Sequence, residues 1–311
     1  MKSKKLTNRF FAVFAAVTFV LFTSCSSDSE SAGNLSGLSN NEIDEIAEAP
    51  FSVVLKAFDA QGADVTTGGD VEGATLFVFN DQNDFVKQIS VPKASLLNRQ
   101  AIQISCAHTN KITVVAWGGL TSDKEDVPSL NEANVISDLQ IQLKQNNGIA
   151  QIPGDLFYGQ TVISRSSTKS GAQQEIKLER KVSSLSLATK NLAKKFGTDG
   201  VYQYKVRAIN DGFDYQGNLI GEEVEYIFSA SFDEKGNLVA DTQPVLPSSK
   251  LVVELYKDNE LIFSVSNDKK GEILSTKAGK QMNYIFNYST KTKAELVVTP
   301  WNTVVQYVTV G

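Results

Sequence analysis

Histidine occurs once in this chain, and cysteine, methionine and tryptophan twice each. A lone His108 cannot supply a histidine-based metal cluster. Two cysteines, Cys25 and Cys106, make no CxxC pair and permit at most one disulfide. The chain also lacks an HExxH helix, EF-hand spacing and a glycine-rich phosphate loop after a strand. Nothing resembles the strained serine turn of a nucleophile elbow, so His108 reads as a loop residue. Asn80-Asp81-Gln82-Asn83-Asp84 groups several oxygens, but without the glycine turn and distant glutamate of a calcium loop. Asp211, Asp214, Glu222 and Glu223 crowd around Gly212, Gly217 and Gly221. Glycosidase acids need only spatial proximity, yet in so turn-rich a stretch these read as solvated loop charges. The expectation is a protein without cofactor, metal or catalytic centre, and not an enzyme.

No apolar run reaches the roughly 20 residues needed to span a bilayer. What is present is shorter: Lys2, Lys4, Lys5 and Arg9, then an apolar stretch of 13 residues, Phe10–Phe22, then Thr23-Ser24-Cys25. Basic, apolar and small-residue segments in that order make a secretory signal over residues 1–24. A cysteine just after the cut resembles a bacterial lipobox, which makes Cys25 the expected lipid-attachment residue. Two or three acyl chains such as palmitate, at about 0.8 kcal/mol per buried methylene, hold a protein on a membrane. With Cys25 acylated no intrachain disulfide remains. Cys106, after the strand-like Ala101–Ser105, reads as a small buried hydrophobe, with a reactive thiol as the alternative.

Basic charge is scarce as well. Removing residues 1–24 takes away four basic and no acidic groups, so the formal charge goes from −5 to −9. That argues against nucleic acid as a partner, since such binding is driven by basic groups. Between Ser26 and Leu55 there is no Lys or Arg, and Ser, Gly and Asn dominate as far as Asn41. Residues 25–49 therefore read as a flexible acidic tether, with one capped helical turn near Asn41–Ile46.

Beyond residue 50 the period becomes two. Phe51, Val53, Leu55 and Ala57 alternate with Ser52, Val54, Lys56 and Phe58. Leu76–Phe79 and Ile112–Trp117 are uniformly apolar, as in strands covered on both faces. Glu175–Glu179 alternates cleanly. Val224, Tyr226, Phe228, Ala230 and Phe232 share a face, as do Leu251, Val253 and Leu255, then Leu261, Phe263 and Val265, then Met282, Tyr284, Phe286 and Tyr288. Leu296–Val298 and Thr303–Val310 continue the pattern, the last either as an ordinary strand or as one exchanged between subunits. Asn147-Gly148 marks a tight hairpin, and Asp81–Asp84, Asp233–Gly236 and Lys257–Glu260 mark looser ones. Only Asn131–Leu139 and Asn191–Phe196, ending at Gly197, look helical. Trp117 and Trp301 end apolar strands and read as core residues, with sugar stacking as the alternative. The expected class is all-β, with two tandem sandwiches over residues 50–185 and 186–311.

Leu76–Asn80 with Phe85-Val86, Val114–Gly118, Asp155–Gly159 and Ile176–Val182, in that order behind a lipobox, carry a family likeness. The chain resembles the fimbrillin-like anchor lipoproteins of Bacteroides-group type V fimbriae. The resemblance implies transthyretin-like (Ig-like) sandwiches and a place at the membrane end of a pilus. It implies fimbrial shaft subunits as partners, joined by donor-strand exchange, and surface exposure on the outer membrane through lipid on Cys25. Shaft precursors of that family lose their lipidated segment by cleavage at an arginine. Here the first arginine after Cys25 is Arg99, inside the first expected sandwich, which implies an anchor that keeps its lipid. The alternatives are a surface glycan-binding lipoprotein of a polysaccharide-uptake system, which should present exposed aromatics, and a fimbrial tip adhesin.

Overall fold

The structure is a computed structural model that describes residues 49–107, 109–165, 173–288 and 292–301. The first half of the chain forms β1 (Phe51–Phe58), β2 (Gly73–Phe79), β3 (Phe85–Pro92), α1 (Lys93–Leu97), β4 (Ile102–Ile104) and β5 (Lys111–Gly118). Then come β6 (Glu125–Asp126), β7 (Ile141–Leu143), β8 (Gln145–Asn146), β9 (Ile149–Ala150), β10 (Phe157–Ser164) and β11 (Gln173–Arg180). The second half begins with β12 (Ser183–Lys190), α2 (Ala193–Phe196), β13 (Tyr202–Ile209), β14 (Gly212–Phe213), β15 (Leu219–Ile220), β16 (Glu223–Phe232) and β17 (Leu238–Ala240). It ends with β18 (Gln243–Val245), β19 (Leu251–Lys257), β20 (Glu260–Val265), β21 (Lys280–Asn287) and β22 (Lys293–Pro300). The chain is all-β, as its period-two pattern predicts.

A seven-stranded sheet runs β3-β2-β5-β10-β11-β1-β4. A larger one runs β20-β19-β13-β16-β17-β12-β21-β22, with β18 on β12 and the β8–β9 hairpin attached to β16. In each sheet the first strand of its half pairs in parallel with a late one: β1 with β11, and β12 with β21. The β8–β9 hairpin reaches into the larger sheet from the first half, and after β11 the chain enters that sheet for good through Lys181 and Val182. The 185/186 division therefore falls inside β12, a strand buried along nearly its whole length. A small third sheet, β15-β14-β7-β6, joins segments from both halves.

The uniformly apolar strands face two cores. On β2 and β5, Leu76, Val78, Val114 and Ala116 line the core of the first sheet. Phe77, Phe79, Val115 and Trp117 point the other way and merge with the core of the second half. One face of each strand thus closes its own layer and the other fastens the two halves together.

Among the described residues one loop recurs five times. In Asp59–Ala63, Asn80–Asp84, Asp214–Asn218, Asp233–Asn237 and Asp268–Glu272, the first residue's Oδ1 accepts the amides two and four positions on. The fourth residue is always left-handed, with φ between 70° and 90°. A short side chain that closes on its own backbone, followed by Gly or Asn, is the sequence requirement of this turn. Asn147-Gly148 (φ 52° and 80°) makes the two-residue hairpin its sequence predicts, and Asp258-Asn259 makes another.

Two expectations need correction. Asn131–Leu139 holds only a 3-10 turn, Ile136–Asp138. The Asn131 and Asn134 side chains accept local amides, and Val135 and Ile136 are β-branched, so both disfavour an α-helix. Leu261, expected to share a face with Phe263 and Val265, is 54% exposed. The register between β19 and β20 slips between Leu255 and Tyr256, and a bulge sends the residues before it to the opposite face. The second helical expectation is met as a single turn, α2, capped at Gly197.

Candidate assembly surfaces

The described chain begins at Ala49, just before β1. Arg165, directly after β10, holds this point. Its guanidinium donates to the carbonyl oxygens of Thr109 (2.8 Å), Cys106 (2.6 Å) and Ala49. It also lies 4.2 Å over the ring of Phe51. Arg165 is only 7% exposed; a buried cation is tolerated here because carbonyl dipoles and an aromatic face replace its water. Cys106 is itself buried in the first core, which agrees with its reading as a small hydrophobe. Cys25 and His108 lie outside the described residues, as do the Asn41–Ile46 turn and Thr303–Val310.

A second buried arginine sits where the halves meet. Arg180, the last residue of β11, makes a two-pronged pair with Asp155 (Nε–Oδ1 2.8 Å, Nη2–Oδ2 2.8 Å) and reaches Asp70 at 3.1 Å. Its guanidinium is sandwiched between Phe157 at 4.7 Å and Trp301 at 4.4 Å. Burial pushes Asp155 up to about 6, against the pull of Arg180, and the nearby Asp70 charge adds to the rise. Trp301, beyond β22, is thereby tied to the first half of the chain. Trp117 is fully buried and packs on Tyr158 (5.0 Å between ring centres) and Phe213 (5.2 Å). Both tryptophans pack rather than present a free face.

The acidic residues singled out from the sequence are not brought together as an acid–base pair. Asp214 closes its own loop, and Asp211 Oδ2 accepts from the amide of Gln145 at 2.9 Å. Glu222 and Glu223 are exposed at the start of β16. The oxygens of Asn80–Asp84 likewise serve their own turn. Sequence reasoning missed the roles of Arg165 and Arg180. The available signal was an arginine at or just past the end of a strand, but its acceptors lie 25 to 116 positions away.

Four described strands end the two large sheets, and three carry features that discourage pairing. β4 has three residues, β3 is bulged against β2 and ends in Pro92, and β20 is bulged against β19. β22 differs. Its eight residues pair with β21 in unbroken register, and adjacent Val297 (38%) and Val298 (51%) are exposed. Among the described residues no aromatic side chain is fully exposed.

The sequence profile of the fimbrillin-A associated anchor proteins Mfa1 and Mfa2 matches residues 44–307. The chain belongs to this fimbrial anchor family. The major fimbrium anchoring subunit FimB of Porphyromonas gingivalis is 25% identical over 272 residues, covering 83% of this chain and 88% of FimB. The fimbrial anchor protein Mfa2 of the same species superposes with a TM-score of 0.60 at 11% identity, over 81% of this chain and 97% of that one. A candidate polysaccharide-binding protein of Bacteroides thetaiotaomicron superposes with a TM-score of 0.61 at 18% identity, over 83% and 99% of the two chains. At these identities the superpositions speak for a shared fold. The family membership places the chain among fimbria-associated anchors at the cell surface.

Proposed function

We propose that this protein is a lipid-anchored base of a fimbria on the outer membrane. Cys25 carries the lipid, residues 26–48 form the tether, and the folded body holds the adjacent fimbrial subunit by β-strand complementation. The observation that carries this reading is the family match over residues 44–307, together with an anchoring subunit as relative. The absence of arginine between Cys25 and Arg99 supports retention of the lipid, since an arginine-directed cut has no site in the tether. β22 is the acceptor edge in this reading. A strand laid along it past Ala294, whose carbonyl already accepts the Lys269 amide, would pair with outward amides and carbonyls of the rest of β22 and cover Val297 and Val298.

Cross-linking on native cells, followed by capture of the protein and mass spectrometry, tests the assembly. The expected result is a ladder of fimbrial subunits that survives SDS at room temperature and collapses on boiling. Recovery of the protein alone, or with a polysaccharide importer, would overturn it. Cys25→Ala should release the protein from the membrane fraction and remove labelling by an alkyne palmitate analogue. Persistence of both would end the lipid-anchor reading.

A further inference from the structure

A protein that joins a membrane to a filament must carry tension, and the first sheet is wired to resist it. β1 and β11 run parallel, with seven register pairs from Ser52↔Gln173 to Phe58↔Glu179. The chain reaches β1 at Phe51 and leaves β11 at Arg180 for the second half. In a parallel pair, the N-terminus of one strand and the C-terminus of its partner lie at opposite ends. Tension between residue 51 and residue 180 therefore runs along the ladder and loads its hydrogen bonds together. Were the pair antiparallel, the same two ends would lie side by side, and the bonds would open one at a time.

Four further features oppose sliding. Phe51, Val53, Leu55 and Ala57 are buried in the first core. A one-residue slip would exchange them for Ser52, Val54, Lys56 and Phe58. Lys56 and Glu175 pair across the two strands at 2.5 Å. β4 grips the other side of β1 through Phe51↔Ile104, Ser52↔Gln103 and Val53↔Ile102. Arg165, buried at the start of the strand, holds Ala49 and stacks on Phe51, the first residues to feel a pull from the tether.

We propose that the β1–β11 pair, with Arg165 at its membrane-proximal end, is a mechanical clamp that keeps the body folded while the tether is under load. The direction of load rests on the lipid-anchor reading; the resistance of the pair to shear does not.

Single-molecule pulling on the unlipidated chain from residue 25 onward separates the two. Cys25 serves as one handle, and the buried Cys106 stays out of the coupling reaction. The second handle is either Glu179→Cys, which shears the pair, or Gln173→Cys, which peels it from the same end. Both positions are exposed, so neither substitution disturbs the core. Forced unfolding reports the barrier along the pulling direction, and the Glu179 geometry should break at a force at least about twofold higher. Equal forces, or a stronger Gln173 geometry, would overturn the clamp. Arg165→Lys, which keeps the charge but loses the forked donors, should lower the force in the Glu179 geometry. An unchanged force would remove Arg165 from it. Loss of membrane attachment is read separately in cells with Cys25→Ala, so failure of the anchor reading leaves the pulling result standing.

Discussion

Arg180 shows how single residues settle energetics here. Its charge is buried, yet Asp155, Asp70, Phe157 and Trp301 surround it. The raised Asp155 gives a signed pH effect. Between the ordinary carboxylate value of 3.8 and about 6, the folded protein binds this proton more than the unfolded chain does. Stability contributed at this site is then fully present below the unfolded value and falls as pH rises through about 6. Relative to Asp155→Asn, the wild type should lose up to about 3 kcal/mol between pH 4 and 7, measured by urea unfolding at each pH. A difference that does not change with pH would refute the assignment. Arg165→Ala removes the guanidinium donor from three carbonyl oxygens and should cost about 2–4 kcal/mol in the same assay. Gly236 isolates backbone strain: its φ is +77° and a Cβ there would meet nothing within 4 Å. Gly236→Ala should cost about 1–2 kcal/mol, and Gly236→Asn less, because Asn tolerates the left-handed region.

At the scale of elements, the edge strands divide by what their sequences do to pairing. β20 and β3 are bulged and β4 is short, whereas β22 is regular and carries two exposed valines. Val297→Lys with Val298→Lys should weaken capture of fimbrial subunits several-fold. It should leave the unfolding midpoint nearly unchanged, since exposed substitutions usually stay within about 0.5 kcal/mol. Full capture by this variant would exclude β22 as the acceptor. Elements with clean alternation, such as Phe51–Phe58 and Glu175–Glu179, are legible in the sequence because one buried face imposes the period. β10 and β12 are not. Phe157–Ser164 includes Gly159, set against the backbone of Lys177, and Ser183–Lys190 is buried on both sides, so neither alternates. The bulge that turns Leu261 outward also leaves no mark in the hydrophobic pattern.

For the whole molecule, the two halves are fastened by apolar surface rather than by a flexible linker. Phe77, Phe79, Val115 and Trp117 of the first sheet lie in the same cluster as Tyr204, Tyr226 and Phe286 of the second half. Phe77→Ala should therefore cost about 3–5 kcal/mol and lower the stability of both halves in one transition. Two separated calorimetric transitions would mean that the halves unfold independently.

The sequence by itself determined the all-β class, the turns at Asn147-Gly148 and Asp233–Gly236, the scarcity of metal-binding side chains and the fimbrial-anchor likeness, because each depends on local period, φ preference or composition. Only the tertiary structure decided that β1 lies parallel to β11, that Arg165 and Arg180 close distant segments, and that β22 ends the larger sheet in regular register among the described residues. Those properties arise from strand order and register between segments far apart in the chain, and hydrophobic period fixes which face of a strand is buried but not which strand lies beside it.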